Sequence, residues 1–215
     1  MMNYVITIAR GLGSGGSHIA RQLSEKLGIP YYDTEILTMA SEESGINEKY
    51  FFEANEKINR GFIPLNIKEP VYTGRIYDVA DKRYLSDENL FNYQARVIRQ
   101  LAVQEKDKKS CIIIGKAANY ILRTFPNVLS VNIQSNSDYC IHNIMQRMAM
   151  EEEKAAALIN QTNKYRATYY KYYTARKWDS TNEYDLSLNP AELGEEACTQ
   201  IIMYALNCKL GENME

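Results

Sequence analysis

The residues best suited to chemistry lie between Arg10 and His18, where glycines and hydroxyl side chains follow one another closely. The segment is R-G-L-G-S-G-G-S-H, with glycines at positions 11, 13, 15 and 16. Such a turn uses positive φ angles and brings free backbone N–H groups to one point, so it can wrap closely around an anion. An apolar run precedes the turn, and a helical pattern follows from about Ser17, with its positive end facing the same point. These features predict a phosphate site at the end of a buried strand.

The loop partly fits the P-loop pattern G-x-x-x-x-G-K-[ST]. Gly15 and Ser17 match its last glycine and its hydroxyl, which would ligate Mg²⁺. Arg10 stands where the first glycine belongs, and Gly16 stands where the lysine belongs. The pattern therefore indicates phosphate binding without the usual cation.

The same loop also matches the dinucleotide pattern G-x-G-x-x-G through Gly11, Gly13 and Gly16, with Asp33 near the distance of the ribose-binding acid. A strand-to-helix turn that binds nothing is the third alternative. Four glycines within six residues exceed what such a turn requires, so we expect an anion to bind. The residues expected to contact it are Gly11, Gly13, Ser14, Gly15, Gly16, Ser17 and His18.

The composition is typical of a globular domain. The chain has 215 residues, of which 45% are hydrophobic and 24% charged, and its formal net charge is −2. That charge argues against a nucleic-acid binder that depends on a strong positive field. No apolar run approaches the roughly 18 residues of a membrane span, and there is no signal-peptide pattern, so we expect a cytoplasmic protein with no membrane contact. Four cysteines without a C-x-x-C pair favour buried thiols over disulfides.

Strands alternate with helices along the chain. Apolar runs predict strands at residues 4–10, 31–33, 111–115, 128–133 and 184–188. Helical patterns are expected at 17–27, 34–45, 47–60 and 116–123. Further helices are expected to begin at 86 and at 151, to run from 135 or 137 to 147, and to run from 189 to 206. Asp33 or Thr34 would cap the helix at 34–45. The apolar run at 111–115 is typical of a central parallel strand. The alternation predicts a doubly wound α/β sheet with phosphate at the carboxyl end of the first strand.

Four stretches of the sequence together resemble a known family. They are I-T-I-A-R-G-L-G-S-G-G-S-H-I-A at 6–20, L-G-I-P-Y-Y-D at 27–33, C-I-I-I-G-K-A-A-N-Y-I-L at 111–122, and R-A-T-Y-Y-K-Y-Y with W-D and Y-D-L-S-L-N at 166–189. From about Val5 to Ile202 the chain resembles the cytidylate kinase-like family, a branch of the P-loop nucleoside monophosphate kinases.

The resemblance implies a three-layer P-loop NTPase fold, with a mostly parallel five-stranded sheet in the order 2-3-1-4-5 flanked by helices. Residues 1–215 would form one domain, with a nucleoside triphosphate on the glycine loop and a monophosphate opposite. A helical lid at about 151–178 would close over both. Residues 61–82, interrupted by glycines and prolines, are expected to form a mobile segment on the acceptor side.

On the donor side, a cytidylate kinase has a lysine after the last loop glycine, which bridges the donor phosphates and stabilises the transition state. Gly16 takes that position here, and lysine-free G-S-G-G loops are typical of this branch. Arg10 is the nearest replacement cation, with a surface ion pair as its alternative role. The resemblance implies that Ser17 keeps the hydroxyl that ligates Mg²⁺.

On the acceptor side, the family has G-R-D after its third strand, and this chain has Gly115-Lys116-Ala117. The resemblance implies that Lys116 keeps the charge that holds the acceptor phosphate, without the bidentate fork of arginine. Ala117 lacks the family carboxylate. Asp33 matches the aspartate that opens the monophosphate-binding helix, and a helix cap is the alternative role.

In the lid, the resemblance implies arginines that grip the transferring phosphoryl group. Arg147, Arg166 and Arg176 are available there, and Arg166 matches the family arginine best. The aspartate that often lies three residues earlier is Asn163 here.

Tyrosine is unusually frequent, with 17 tyrosines against five phenylalanines and one tryptophan. Tyr169, Tyr170, Tyr172 and Tyr173 surround Lys171 in the expected lid. Amphipathic packing or a contact in a homo-oligomer is one explanation, and stacking on a nucleotide base is the other.

The leading hypothesis is a kinase that uses ATP and Mg²⁺ to phosphorylate a pyrimidine monophosphate such as CMP. The residues expected to act in catalysis are Arg166, Lys116 and Arg10, and those expected to bind the acceptor are Asp33, Lys116 and Arg147. The second hypothesis is a non-catalytic nucleotide- or phosphate-binding protein that lost the P-loop lysine. The third is a dinucleotide-binding domain.

Overall fold

The computed structural model describes residues 3–59, 67–103 and 109–211. Along the chain, the elements are β1 (Val5–Arg10), α1 (Gly16–Leu27), β2 (Tyr31–Tyr32), α2 (Glu35–Ser44), α3 (Glu48–Asn59), α4 (Asp87–Ala102), β3 (Cys111–Ile114), α5 (Ala118–Ile121), β4 (Val128–Ile133), α6 (Ser137–Met148), α7 (Glu152–Thr174), β5 (Leu186–Leu188), α8 (Pro190–Leu193) and α9 (Glu195–Leu210). In the described part of the chain, no helix combines the length and apolar character needed to cross a membrane.

The strands form one five-stranded sheet in the order β2-β3-β1-β4-β5, with every pair parallel. Val5 pairs with Cys111 on one side and with Val128 on the other. The predicted order is confirmed, and β3 lies inside the sheet as its apolar run indicated. Because the strands are parallel, the segments that follow β1, β2 and β3 meet at one edge of the sheet.

Side chains on the two faces of the sheet belong to two separate cores. On one face, Ile6 and Ile8 of β1 pack with Ile19 of α1 and Ile202 of α9. On the other face, Val5 belongs to a larger core with residues of α2, α3, α4, α5 and α7. The alternation along β1 therefore produces the three-layer architecture that the sequence predicted.

The tyrosine-rich stretch of α7 packs inside the protein. Tyr169, Tyr170 and Tyr173 are buried. The ring of Tyr173 stacks on that of Phe91 in α4, with centroids 3.8 Å apart. Such pairs stabilise packing beyond the area that they bury. Of the two explanations for this stretch, amphipathic packing therefore fits these three side chains, which offer no exposed surface to a subunit contact.

Several predicted boundaries were wrong for local reasons. The helix predicted at 116–123 is confined to α5, because Lys116 and Ala117 both have φ near 54°. The final helix is divided into α8 and α9 at Gly194, where φ is 79°. Asn136, rather than Ser135 or Ser137, caps α6 by accepting a hydrogen bond from the Tyr139 N–H. The last strand begins at residue 186 instead of 184.

The segment predicted to be mobile is described from residue 67, and residues 61–66 lie outside the described ranges. Residues 67–82 contain no helix or strand, yet buried amides of α4 bind their backbone. The Asn89 side chain accepts from the Tyr77 N–H at 2.8 Å and donates to the carbonyls of Tyr77 and Tyr84 at 2.9 and 2.8 Å. One fully buried side chain therefore satisfies three backbone groups.

We expect Asn89→Ala to lower the free energy of unfolding by about 2–4 kcal/mol, because buried backbone groups would lose their partners. The matched control is Gln94→Ala, since Gln94 is also buried on α4 but its amide nitrogen makes only one bond, of 3.4 Å. Urea denaturation of both variants measures the difference. Equal losses would show that Asn89 contributes through packing alone.

Candidate active site

The loop between β1 and α1 presents free backbone donors. The N–H groups of Gly13, Gly15, Gly16 and Ser17 have no hydrogen-bond partner among the residues that the structure describes. Gly13 and Gly15 have φ of 81° and 86°, a conformation that side chains other than glycine rarely adopt. These donors lie at the N-terminus of α1, where the helix dipole also favours negative charge. The loop can therefore bind a phosphate chain through its backbone.

Two serines of the loop have different surroundings. The Ser14 hydroxyl is fully buried, within 2.9 Å of the Gly11 carbonyl and 3.0 Å of the Ile133 carbonyl. It stabilises the turn and does not face a ligand. Ser17 is exposed, and its hydroxyl has no partner in the described structure. Of these two described serines, Ser17 is therefore the one that offers a free side-chain oxygen.

Two asparagines from the following helices hold the loop in place. Asn143 of α6 donates to the Gly13 carbonyl at 2.9 Å, and Asn163 of α7 accepts from the Leu12 N–H at 2.9 Å. These contacts span 130 and 151 residues along the chain, so no local pattern could have indicated them. The sequence indicated Asn163 only because the family often has an aspartate at this position. In the structure, the carboxamide oxygen of Asn163 accepts the hydrogen bond of the Leu12 N–H.

The side chain of Arg10 occupies the space where a lysine at position 16 would begin. A Cβ atom at Gly16 would lie 2.5 Å from the Arg10 Cβ and 3.2 Å from the Ile133 Cβ. A Cβ atom at Gly115 would lie 2.6 Å from the Arg10 Nη1. The Arg10 side chain thus runs from the donor loop to the end of β3, and two glycines make room for it.

The end of that side chain is paired inside the cleft. The Arg10 Nη2 donates to the Asp33 Oδ2 at 2.7 Å, and only 13% of the Arg10 side chain is exposed. The Arg10 Nε is buried without a partner in the described part of the chain. Burial lowers the pKa of Arg10, and the neighbouring Asp33 opposes that effect. Arg10 thus forms an ion pair whose arginine side is mostly buried, and the Asp33 carboxylate binds Arg10 instead of capping α2, whose N-cap residue is Thr34.

A cavity of about 210 Å³ adjoins this ion pair. Its charged lining consists of Arg10, Asp33, Lys116 and Arg166, and its aromatic lining consists of Tyr165, Tyr169, Tyr170 and Trp178. The pKa of Lys116 is lowered to about 8 and that of Arg166 to about 9, chiefly by burial; in both cases Arg10 adds to the lowering and Asp33 opposes it. Three cations around one carboxylate leave a net positive charge, which an anion would balance.

The backbone beside this cavity is strained. Gly115, Lys116 and Ala117 have φ of 72°, 54° and 54°. The turn closes with the Ala118 N–H donating to the Gly115 carbonyl at 3.0 Å. The left-handed region costs non-glycine residues roughly 1–2 kcal/mol each, and such outliers concentrate at functional sites. The turn places Lys116 on the cavity wall.

Of the three arginines available near the lid, one reaches the site. The Arg166 Nη1 donates to the Arg10 carbonyl at 2.8 Å while its side chain lines the cavity. Arg147 is exposed in the last turn of α6 and is not part of the cavity lining. Arg176 pairs with Glu183 at 2.8 Å. The structure therefore brings together the predicted residues Arg10, Asp33, Lys116 and Arg166, and it leaves the predicted Arg147 apart.

The side chains near the loop offer few ligands to a metal ion. The described residues contain no group of three or more His, Cys, Asp or Glu side chains that could hold a metal. Ser17 supplies one oxygen, and Mg²⁺ commonly takes its remaining ligands from substrate phosphates and water.

The sheet order separates the remaining interpretations of the loop. Dinucleotide-binding folds have the order 3-2-1-4-5-6. Here β3 lies between β1 and β2, and Asp33 binds an arginine. The dinucleotide hypothesis is therefore not supported by the topology, whereas the P-loop interpretation agrees with it.

Comparisons with known proteins also support the P-loop interpretation. A family model described as the cytidylate kinase-like family matches residues 5–192. A similar solved structure is that of an uncharacterized protein from Eubacterium ventriosum ATCC 27560, with a TM-score of 0.69 and 23% identity over 95% of this chain and 99% of that one. An unliganded sugar kinase from Janibacter sp. HTCC2649 has a TM-score of 0.51 and 13% identity over 99% of each chain. At these identities the two structures support the fold alone. No curated protein matches the sequence.

The family match extends over most of the sequence, including β1, the glycine loop, the turn after β3 and the whole of α7. The parallel sheet and the free donors of the loop agree with it. The chain belongs to the cytidylate kinase-like family.

Proposed function

We propose that the protein is a nucleoside monophosphate kinase that uses Arg10 in place of the P-loop lysine. The reaction is transfer of the γ-phosphoryl group of ATP to a pyrimidine monophosphate such as CMP. The proposal depends on the position of the Arg10 side chain. This side chain fills the space that Cβ atoms at Gly16 and Gly115 would need, and it lines the cavity. A lysine at position 16 would bring its charge into the same crevice.

On the donor side, the free N–H groups of Gly13, Gly15 and Gly16 hold the β-phosphate, supported by the dipole of α1. Ser17 would ligate Mg²⁺, which neutralises phosphate charge when it is bound. Arg10 then faces the transferring group from the side of the sheet. Positioning and charge stabilisation account for most of the catalysis in phosphoryl transfer.

On the acceptor side, Lys116 and Arg166, which both line the cavity, bind the monophosphate. Asp33 positions the acceptor and keeps Arg10 oriented through their 2.7 Å contact. The acceptor oxygen is already anionic, so no general base is required. Tyr165 and Trp178, which line the cavity, would contact the base. We propose α7 as the lid, because Asn163 and Arg166 both contact the donor loop.

The proposal places the protein in the cytoplasm, where ATP is available. The four cysteines are unpaired, which fits a reducing compartment.

The alternative function is that of a non-catalytic nucleotide-binding protein, and the absence of lysine at position 16 favours it. Turnover of ATP with a monophosphate distinguishes the two, because the alternative predicts nucleotide binding without product.

Moving the cation tests the role of Arg10. We expect Arg10→Gly to lower kcat about 100-fold or more, because it removes a charge that faces the transferring group. Gly16→Lys alone should be inactive or unstable, since its Cβ would meet the Arg10 Cβ at 2.5 Å. The double variant Arg10→Gly/Gly16→Lys removes the Arg10 Cβ from that space. Its kcat should be at least about tenfold higher than that of Arg10→Gly. A coupled assay with ATP, CMP and Mg²⁺ measures each rate, and thermal unfolding shows whether each variant folds.

The single variant Arg10→Gly is the matched control for the double variant. If the double variant folds and is no faster than this control, the two positions do not share one catalytic charge. Product formation by wild type with no loss in Arg10→Gly would also contradict the assignment while leaving the kinase activity established.

The affinity for the acceptor should depend on pH through Lys116. Its pKa is lowered to about 8, so the ammonium group is present below pH 8 and is lost as the pH rises above it. We expect the Kd for CMP to increase by up to about tenfold between pH 7 and pH 9, as the charged fraction falls. Calorimetric titration measures this change.

Lys116→Arg is the control, because the ordinary pKa of arginine lies about two units above that of lysine, so an arginine keeps more of its charge over this range. Its pH dependence should be clearly smaller, and what remains would report on Arg166, whose pKa is lowered to about 9. An identical pH profile in this variant and in wild type would exclude Lys116 as the titrating group.

A further inference from the structure

A cluster of titratable side chains lies beside the donor loop, outside the lining of the cavity. His18 belongs to the first turn of α1, Glu195 to the first turn of α9 and Tyr139 to α6. The His18 Nδ1 hydrogen-bonds with the Glu195 Oε2, and the Tyr139 hydroxyl donates to the other carboxylate oxygen at 3.3 Å. Three helices thus bring their side chains together at the start of α1.

The carboxylate of this cluster lies directly against the loop. A Cβ atom at Gly15 would lie 2.4 Å from the Glu195 Oε1 and 3.1 Å from its Cδ. The N–H groups of Gly15 and Gly16 are among the free donors of the loop. A carboxylate next to a phosphate site repels the phosphate unless a cation lies close by to compensate for its charge. The Glu195 position therefore needs an explanation that includes its partner.

His18 can supply that compensation. Its side chain is 55% exposed, whereas Glu195 is 23% exposed. Because Glu195 binds Nδ1, the ring is held in one orientation and Nε2 stays available. A protonated imidazole donates from both nitrogens, one to the carboxylate and one to a second anion.

We propose that His18 is a ligand of the donor phosphates and that Glu195 is its positioning residue. Glu195 holds the imidazole through Nδ1, so that Nε2 donates to a non-bridging phosphate oxygen at the start of α1. The ligand is a polyphosphate chain, which His18 binds in addition to the loop amides. The inference rests on the proposed function only in requiring that the loop bind a polyphosphate.

The chain contains a matched control in the next residue. Glu196 lies in the same turn of α9 and pairs with Lys26, which is in the last turn of α1, at 2.9 Å. Both glutamates connect α9 to α1, but only Glu195 contacts the loop. Glu196→Gln therefore reports the effect of losing one charged contact between these helices.

The experiment measures binding of inorganic triphosphate by calorimetry, since this probe has phosphates but no nucleoside. We expect Glu195→Gln to weaken binding about three- to tenfold and His18→Ala about tenfold, while Glu196→Gln binds as wild type does. In the double variant His18→Ala/Glu195→Gln, the second change should cause no further loss, because Glu195 acts through His18.

Other outcomes would overturn the inference. Tighter binding by Glu195→Gln would mean that the carboxylate only repels phosphate. If Glu195→Gln lowers the melting temperature but leaves the affinity for triphosphate unchanged, the contact between His18 and Glu195 only stabilises the packing of α9 on α1. If wild type does not bind triphosphate, the assignment of the donor loop fails first, and the proposed function fails with it. If wild type binds and Glu195→Gln binds equally well, only the present inference fails.

Discussion

The buried side chain of Arg10 is the constraint on which the site depends. A charged group inside a protein is costly unless it is paired and hydrogen-bonded. Arg10 has one such partner, Asp33, while its Nε is buried without one in the described structure. Lys116 and Arg166 line the same cavity and carry the same sign of charge. The fold thus holds together groups that would repel one another, and an anionic ligand would relieve that repulsion.

The rest of the architecture keeps these groups in place. The parallel sheet brings the ends of β1, β2 and β3 to one edge, so Arg10, Asp33 and Lys116 meet although they are far apart in sequence. The strained turn at Lys116 and Ala117 adds a local cost. Two hydrophobic cores, one on each face of the sheet, provide the stability that offsets both costs. Sites with unfavourable local geometry are commonly supported in this way.

Most of the fold could be predicted because its signals are local. The apolar run at 111–115 and the glycines between Arg10 and Ser17 indicate strand and loop from neighbouring residues alone. The turn after β3 was missed because K-A-A-N-Y-I-L has the pattern of a helix, and tertiary contacts determine its backbone. The contacts of Asn163 and Glu195 could not be predicted, because their partners, Leu12 in the loop and His18 in the first turn of α1, lie more than 150 positions away in the sequence.

Gly16 and Arg10 show why the sequence motif alone was ambiguous. A motif records which residue types follow one another, whereas catalysis requires a charge at a point in space. In this chain a glycine replaces the motif lysine, and the space that it leaves is filled by the side chain of a residue six positions earlier. The two positions therefore form one unit, because an arginine at 10 leaves no room for a Cβ atom at 16. In the function that we propose, the lost motif lysine is replaced by Arg10 as the source of the cation, and the crevice keeps its positive charge.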